Sequence, residues 1–252
     1  MDKKYWEKVA RDYDGEIFDS LASDRNGTIL GHLERIGKRV GKKGTACDFG
    51  CGVGKYLPAL ARNVGVVHAT DLSDECVRQA RAACGHLKNV TIHQGDLSVL
   101  THTVGQVDFV LCTNVLIMPS EKMRAGILKR LAAAVKPGGS LLLLVPAMES
   151  ALYAHARRAE WLQRSPKARV IASTTYTGVG GKDLFNGILG IGKVRTKHWL
   201  KEELVSVLGV KGFVVEAVDK AEYDWKTEFH TPPRWMRDPY PWDWIVVARR
   251  LP

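Results

Sequence analysis

Short apolar runs alternate with amphipathic stretches along most of this chain. Two helical patterns come first. Trp6, Val9, Ala10, Tyr13, Ile17, Phe18 and Leu21 recur every three or four residues, and Ile29, Leu30, Leu33, Ile36 and Val40 do the same. After the turn Gly41-Lys42-Lys43-Gly44, a strand-sized run ends in an acid, Asp48, and a further helix is predicted from about residue 56. Further strands are predicted over 65–70, 89–94, 107–111, 140–145, 213–218 and 242–248. Helices are predicted over 74–84, 119–135, 150–163 and 201–208. The run Val107 to Leu111 is almost continuously apolar, as befits a strand covered on both faces. Strand–helix alternation of this kind predicts an α/β sheet.

The pattern loosens in two places. Residues 174–192 are glycine-rich, including Gly178, Gly180, Gly187 and Gly192, and read as a long binding loop or lid. Residues 223–241 crowd Trp225, Phe229, Trp235 and Tyr240 among prolines. They are expected to cover a sheet edge, or else to line a hydrophobic pocket.

Candidate chemistry concentrates after the first strand, at Asp48-Phe49-Gly50-Cys51-Gly52-Val53-Gly54-Lys55. Alternate glycines permit a turn at positive φ and close approach of a ligand to backbone. A dinucleotide fingerprint would place its third glycine at position 55, which is lysine. An acid two residues before the loop would repel a diphosphate and suits a ligand carrying an ammonium group. Asp71, at the end of the second strand, is placed to accept hydrogen bonds from ribose hydroxyls or to cap the following helix. Gly95-Asp96-Leu97 ends the third strand, Cys112-Thr113-Asn114 follows the fourth, and Lys136-Pro137-Gly138-Gly139 precedes the fifth.

That ordered set resembles the class I S-adenosylmethionine-dependent methyltransferases over about residues 45–146. The resemblance implies a doubly wound, mostly parallel seven-stranded sheet with an antiparallel last strand, the Rossmann-like fold of that family. Residues 1–44 would form a helical lid. Residues 45–252 would form the methyltransferase domain, with a substrate-side insertion at about 147–197. S-adenosyl-L-methionine is the implied cofactor. Its methionine end would meet Asp48, Gly50, Cys51, Gly52 and Gly54, and its ribose would meet Asp71, with Leu72 beside the adenine. Asp96 and Leu97 would also hold the adenine, and Cys112, Thr113 and Asn114 would run along the sulfonium. Tyr5 and Tyr13 would close over the cofactor from the N-terminal segment. Where the acceptor needs a base, Tyr153, His155 and His198 are the candidates, with His230 behind them. The string Asp238-Pro239-Tyr240 is similar to the motif of DNA amino-methyltransferases, but it is one residue short and stands outside the fourth motif.

Composition narrows this picture. The chain has 252 residues, 45% hydrophobic and 25% charged, enough for one large α/β domain. No apolar run has the length of a membrane span, and no apolar signal region is visible. Five cysteines without a C-x-x-C pair read as reduced, buried thiols of a cytoplasmic protein without a metal site. The net charge is +10, and nine Lys or Arg against two acids between Ala151 and Lys197 carry +7 of it. Such a stretch is a solvated face or a binding surface for an anion. The expected partner is therefore a small molecule, anionic or aromatic. A tRNA or rRNA substrate held by residues 151–197 is the alternative.

Overall fold

The computed structural model describes residues 1–97, 105–172, 176–177, 180–191 and 194–252. The elements run α1 (Lys3–Val9), α2 (Tyr13–Glu16), α3 (Ser20–Ser23), α4 (Thr28–Val40), β1 (Thr45–Phe49), α5 (Leu57–Asn63), β2 (Val66–Asp71), α6 (Asp74–Cys84) and β3 (Val90–Gln94). Then follow β4 (Val107–Thr113), α7 (Glu121–Ala134), β5 (Val135–Pro146), α8 (Met148–Arg164), β6 (Tyr176–Thr177), α9 (Gly181–Phe185), β7 (Ile188–Ile191) and β8 (Val194–Lys197). The chain closes with α10 (Lys201–Val210), β9 (Phe213–Glu222) and β10 (Trp242–Arg250).

Seven strands form the main sheet in the order β3-β2-β1-β4-β5-β10-β9. Pairings from β3 through β5 are parallel, and β10 is antiparallel to both its neighbours, which is the architecture the sequence implied. The order reverses between β1 and β4, so a crevice opens outside the carboxyl ends of those two strands. Strand alternation splits the core into two layers. Leu141, Leu143 and Val145 face one layer, with Leu131 of α7 and Leu204 of α10. Leu142 and Leu144 face the other, with Leu33 of α4, Leu60 of α5 and Ala80 of α6.

The structure corrects the sequence in three places. The N-terminal periodicity through Leu21 does not give one helix: a 3-10 turn at Ala10–Asp12 separates α1 from α2, and the chain leaves the helix again at Ile17, which is extended, before α3. Only this broken part lies over the crevice; α4, within the expected 1–44 lid, belongs to the core layer. The glycine-rich stretch is not all loop. It contains α9 and, with β8, a small antiparallel sheet ordered β6-β7-β8. Gly178, Gly192 and Lys193 lie outside the described residues. Finally, the aromatic segment packs Trp225, Phe229 and Met236 against Ala154 and Trp161 of α8, and so covers the insertion helix instead of a sheet edge.

Candidate active site

The loop after β1 is held open by three glycines at positive φ: Gly50 at 80°, Gly52 at 52° and Gly54 at 90°. The N–H groups of Gly50 and Cys51 both donate to the Thr70 carbonyl, at 2.8 and 3.1 Å, so the loop is tied to the end of β2. Asp71 completes the tie. Its Oδ2 accepts from the Gly52 N–H at 2.8 Å and its Oδ1 from the Ser73 N–H at 2.9 Å. Each oxygen keeps further acceptor capacity for a hydroxyl. Burial pushes the Asp71 pKa up against these backbone bonds. The helix cap itself is Ser73, whose side chain accepts from the Cys76 N–H.

Asp48 is fully buried beneath the same loop, and neither carboxylate oxygen has a hydrogen-bond partner. Burial first, and the charge of Asp71 second, push its pKa up to about 8. A buried acid without partners marks a place built for a group that supplies them.

Around this cradle, Leu72 is half-buried and its carbonyl accepts from Gln94 Nε2 at 3.0 Å, which joins the ends of β2 and β3. Asp96 is half-buried, and Leu97 is packed into the core. Cys51 and Cys112 are buried thiols with raised pKa, burial being the main cause. Thr113 hydrogen-bonds Tyr56. Asn114 is the one non-glycine residue at positive φ, 53°, among the described residues. Its N–H donates to the Leu144 carbonyl at 2.8 Å and its Nδ2 to Ser20 Oγ at 2.9 Å, whereas its Oδ1 has no partner. A strained conformation held this firmly is characteristic of functional positions.

The N-terminal segment is clamped over the crevice. Lys55 Nζ pairs with Asp14 at 2.6 Å and Asp19 at 2.7 Å. The residue that breaks the dinucleotide pattern thus ties the N-terminal segment to the glycine loop. Glu7 reaches across to accept from the backbone N–H groups of Asp74 and Glu75, at 2.6 and 3.3 Å, at the start of α6. Tyr13 lies against the glycine loop, so close that a Cβ at position 52 would overlap its hydroxyl. Tyr5 is half-buried, edge-on to Trp6 at 5.2 Å.

Next to this crevice, and sharing Asn114 with it, lies a cavity of about 730 Å³. The N-terminal segment, the insertion and β10 all contribute walls, including Trp6, Phe18, Ile191, His198, Tyr223 and Asp243. Of the expected bases, only His198 reaches it. His198 is buried, its Nδ1 lies 3.1 Å from the Thr196 carbonyl, and burial pushes its pKa down to about 4, which makes it a weak base. Tyr153 is instead packed between Trp225 and Trp242, with ring centroids 5.8 and 6.2 Å away, and His155 is exposed on α8. His230 is exposed as well. Sequence reading missed Asp243, although the signal was there: a single acid inside the apolar run Trp242-Asp243-Trp244-Ile245-Val246. Among the described residues no His, Cys, Asp or Glu cluster could hold a metal ion, and no helix is long and apolar enough to cross a membrane.

Known proteins agree with this geometry. Residues 46–139 match the family model of a methyltransferase domain. A ubiquinone biosynthesis O-methyltransferase of Coxiella burnetii is 29% identical over 111 residues, which is 43% of this chain and 47% of that protein. Phosphoethanolamine N-methyltransferase 1 of Arabidopsis thaliana is 27% identical over 144 residues, 55% of this chain and 29% of that one. The chain therefore spans about half, or less, of the length of these curated relatives. In fold, the magnesium protoporphyrin IX methyltransferase of Synechocystis PCC 6803, solved with bound S-adenosylhomocysteine, aligns with a TM-score of 0.62 at 20% identity, over 98% of this chain and 97% of that one. Residues 46–139 thus match a methyltransferase domain, and the chain as a whole has the fold of solved S-adenosylmethionine-dependent methyltransferases.

Proposed function

We propose that the protein methylates a small-molecule acceptor, at oxygen or nitrogen, bound in the cavity beside Asn114. One observation carries this reading: a glycine cradle over a buried, unpartnered acid adjoins a cavity of about 730 Å³ at the carboxyl edge of the sheet. The cradle residues fit S-adenosylmethionine, because the positive-φ glycines leave backbone open to it and Asp48 lacks a cationic partner. When bound, that cofactor supplies an activated methyl group on a sulfonium.

The chain's part is to bind, orient and exclude water. Asp48 and the loop Gly50, Cys51, Gly52 and Gly54 hold the methionine end. Asp71 takes the ribose, Leu72, Asp96 and Leu97 flank the adenine, and Cys112 to Asn114 lie beside the sulfonium. Tyr5 and Tyr13 close the lid. Five free, buried cysteines fit a reducing, cytoplasmic setting.

The cations of the insertion do not favour the RNA reading. Arg157 and Arg164 pair with Glu160, Arg195 with Asp183, and buried Lys197 with Glu203. Calorimetry with S-adenosylhomocysteine tests the cofactor site, and its failure to bind would sink the proposal. Labelled cofactor incubated with fractionated cell extract tests the acceptor class: label in small molecules is expected, and label in RNA alone would reverse it. Asp71→Ala is expected to weaken cofactor binding by about 1–3 kcal/mol, because it removes charged hydrogen bonds and unties Gly52. Unchanged affinity would remove Asp71 from the ribose role.

A further inference from the structure

The cavity beside Asn114 has the opposite charge to the chain around it. The protein carries +10 overall. Yet Asp12, Glu16, Glu228 and Asp243 line the cavity, and Lys8 is the one Lys or Arg among the lining residues. Neutral His198 adds no positive charge. Asp12 and Glu16 are exposed on the N-terminal segment, whereas Asp243 is partly buried in the sheet-side wall. Asp243 accepts from the Tyr223 hydroxyl at 2.9 Å and from the Ala147 N–H. Both donors are neutral, and among the described residues no cation pairs with it. Burial pushes its pKa up to about 6, so it is ionised above neutral pH. A partly buried, ionised carboxylate that accepts from two neutral donors and has no cation beside it is under-compensated.

The network around it leads back to the reaction centre. Tyr223 is hydrogen-bonded by Ser20, and Ser20 accepts from Asn114 Nδ2. Trp6 and Phe18 supply aromatic wall, with Ile117 and Ile191 completing an apolar lining. Lys220 Nζ lies 3.7 Å from the centroid of the Trp242 ring, so that ring already carries a cation.

We propose that the acceptor is a cationic amine with an aromatic or apolar body, its ammonium docked on Asp243 and its body between Trp6 and Phe18. Asp243 and Asn114, joined through Ser20 and Tyr223, fix the amine end relative to the cofactor crevice. An anionic acceptor, by contrast, would meet the Asp243 carboxylate.

This inference rests on the methyltransferase reading, and the test separates the two. The protein is first saturated with S-adenosylhomocysteine; if none binds, the parent reading has failed. Tryptamine, indole-3-ethanol and indole-3-acetate are then titrated into that complex at pH 7.5. Tryptamine is expected to bind at least tenfold more tightly than either of the others. Asp243→Asn, which retains an acceptor for Tyr223, is expected to lose at least tenfold in tryptamine affinity, with S-adenosylhomocysteine affinity unchanged. Tyr223→Phe keeps the carboxylate and is expected to keep the preference for the amine. Equal binding of the three probes, no binding of any, or an Asp243→Asn variant that still prefers tryptamine would overturn the inference. So would a loss in Asp243→Asn that falls on S-adenosylhomocysteine instead.

Discussion

Asp48→Asn is expected to make the ligand-free protein more stable at pH 7, by up to about 4 kcal/mol, while abolishing tight cofactor binding. The native pKa is raised from 3.8 to about 8. Between those values the native state holds a proton that the unfolded chain has released, so stability falls as pH rises across that window. Below pH 4 both states are protonated and the variant gains nothing. Asp243, raised to about 6, contributes with the same sign only up to that pH. The mark of Asp48 is therefore the segment between pH 6 and 8. His198, lowered to about 4, gives the opposite slope below pH 6.5, so urea titrations from pH 6.5 to 8 should show a falling curve for the native protein and a flatter one for the variant. A second readout concerns ligand binding. If a cationic group arrives beside Asp48, the acid ionises, and calorimetry in buffers of different ionisation enthalpy should detect roughly one proton released at pH 7. Binding without proton release would detach Asp48 from the ammonium role.

Gly52→Ala is expected to reduce cofactor affinity by two orders of magnitude or more, about 3 kcal/mol. The backbone at 52 stands at φ 52°, where a side chain adds strain, and the new methyl would overlap the Tyr13 hydroxyl. Either the loop or the lid must give way. The double variant Gly52→Ala with Tyr13→Phe separates the two causes. Removing the hydroxyl relieves the overlap, so the second substitution should recover part of the loss, a non-additive result. Strict additivity in a double-mutant cycle would show that Tyr13 does not press on the loop.

The sheet was legible because its information is local. Apolar runs of strand length, separated by amphipathic helices with Gly or Pro at their ends, identify the elements without tertiary help, and the motif order at Asp48, Asp71, Asp96 and Asn114 implied which strands deliver the crevice. The insertion was less legible. Ile188–Ile191 is four residues with a glycine inside, too short to declare itself until Val194–Lys197 pairs with it. The cavity beside Asn114 was hidden for a different reason. Asp243, Ser20, Phe18 and Tyr223 come from opposite ends of the chain, and no spacing links them. The charge count says less about a partner than the sequence suggested: several basic residues of the insertion are paired with Glu160, Asp183 and Glu203.

A single flap closes two rooms. Residues preceding Asp24 roof the glycine cradle through Tyr13 and the adjoining chamber through Trp6 and Phe18. The far end of the flap is pinned, because the Arg25 N–H bonds the Glu222 carbonyl at 2.9 Å and its guanidinium pairs with Asp224. On the proposed assignment, one movement about that pin would uncover cofactor and acceptor together, so loading and unloading of the two sites would be linked in time.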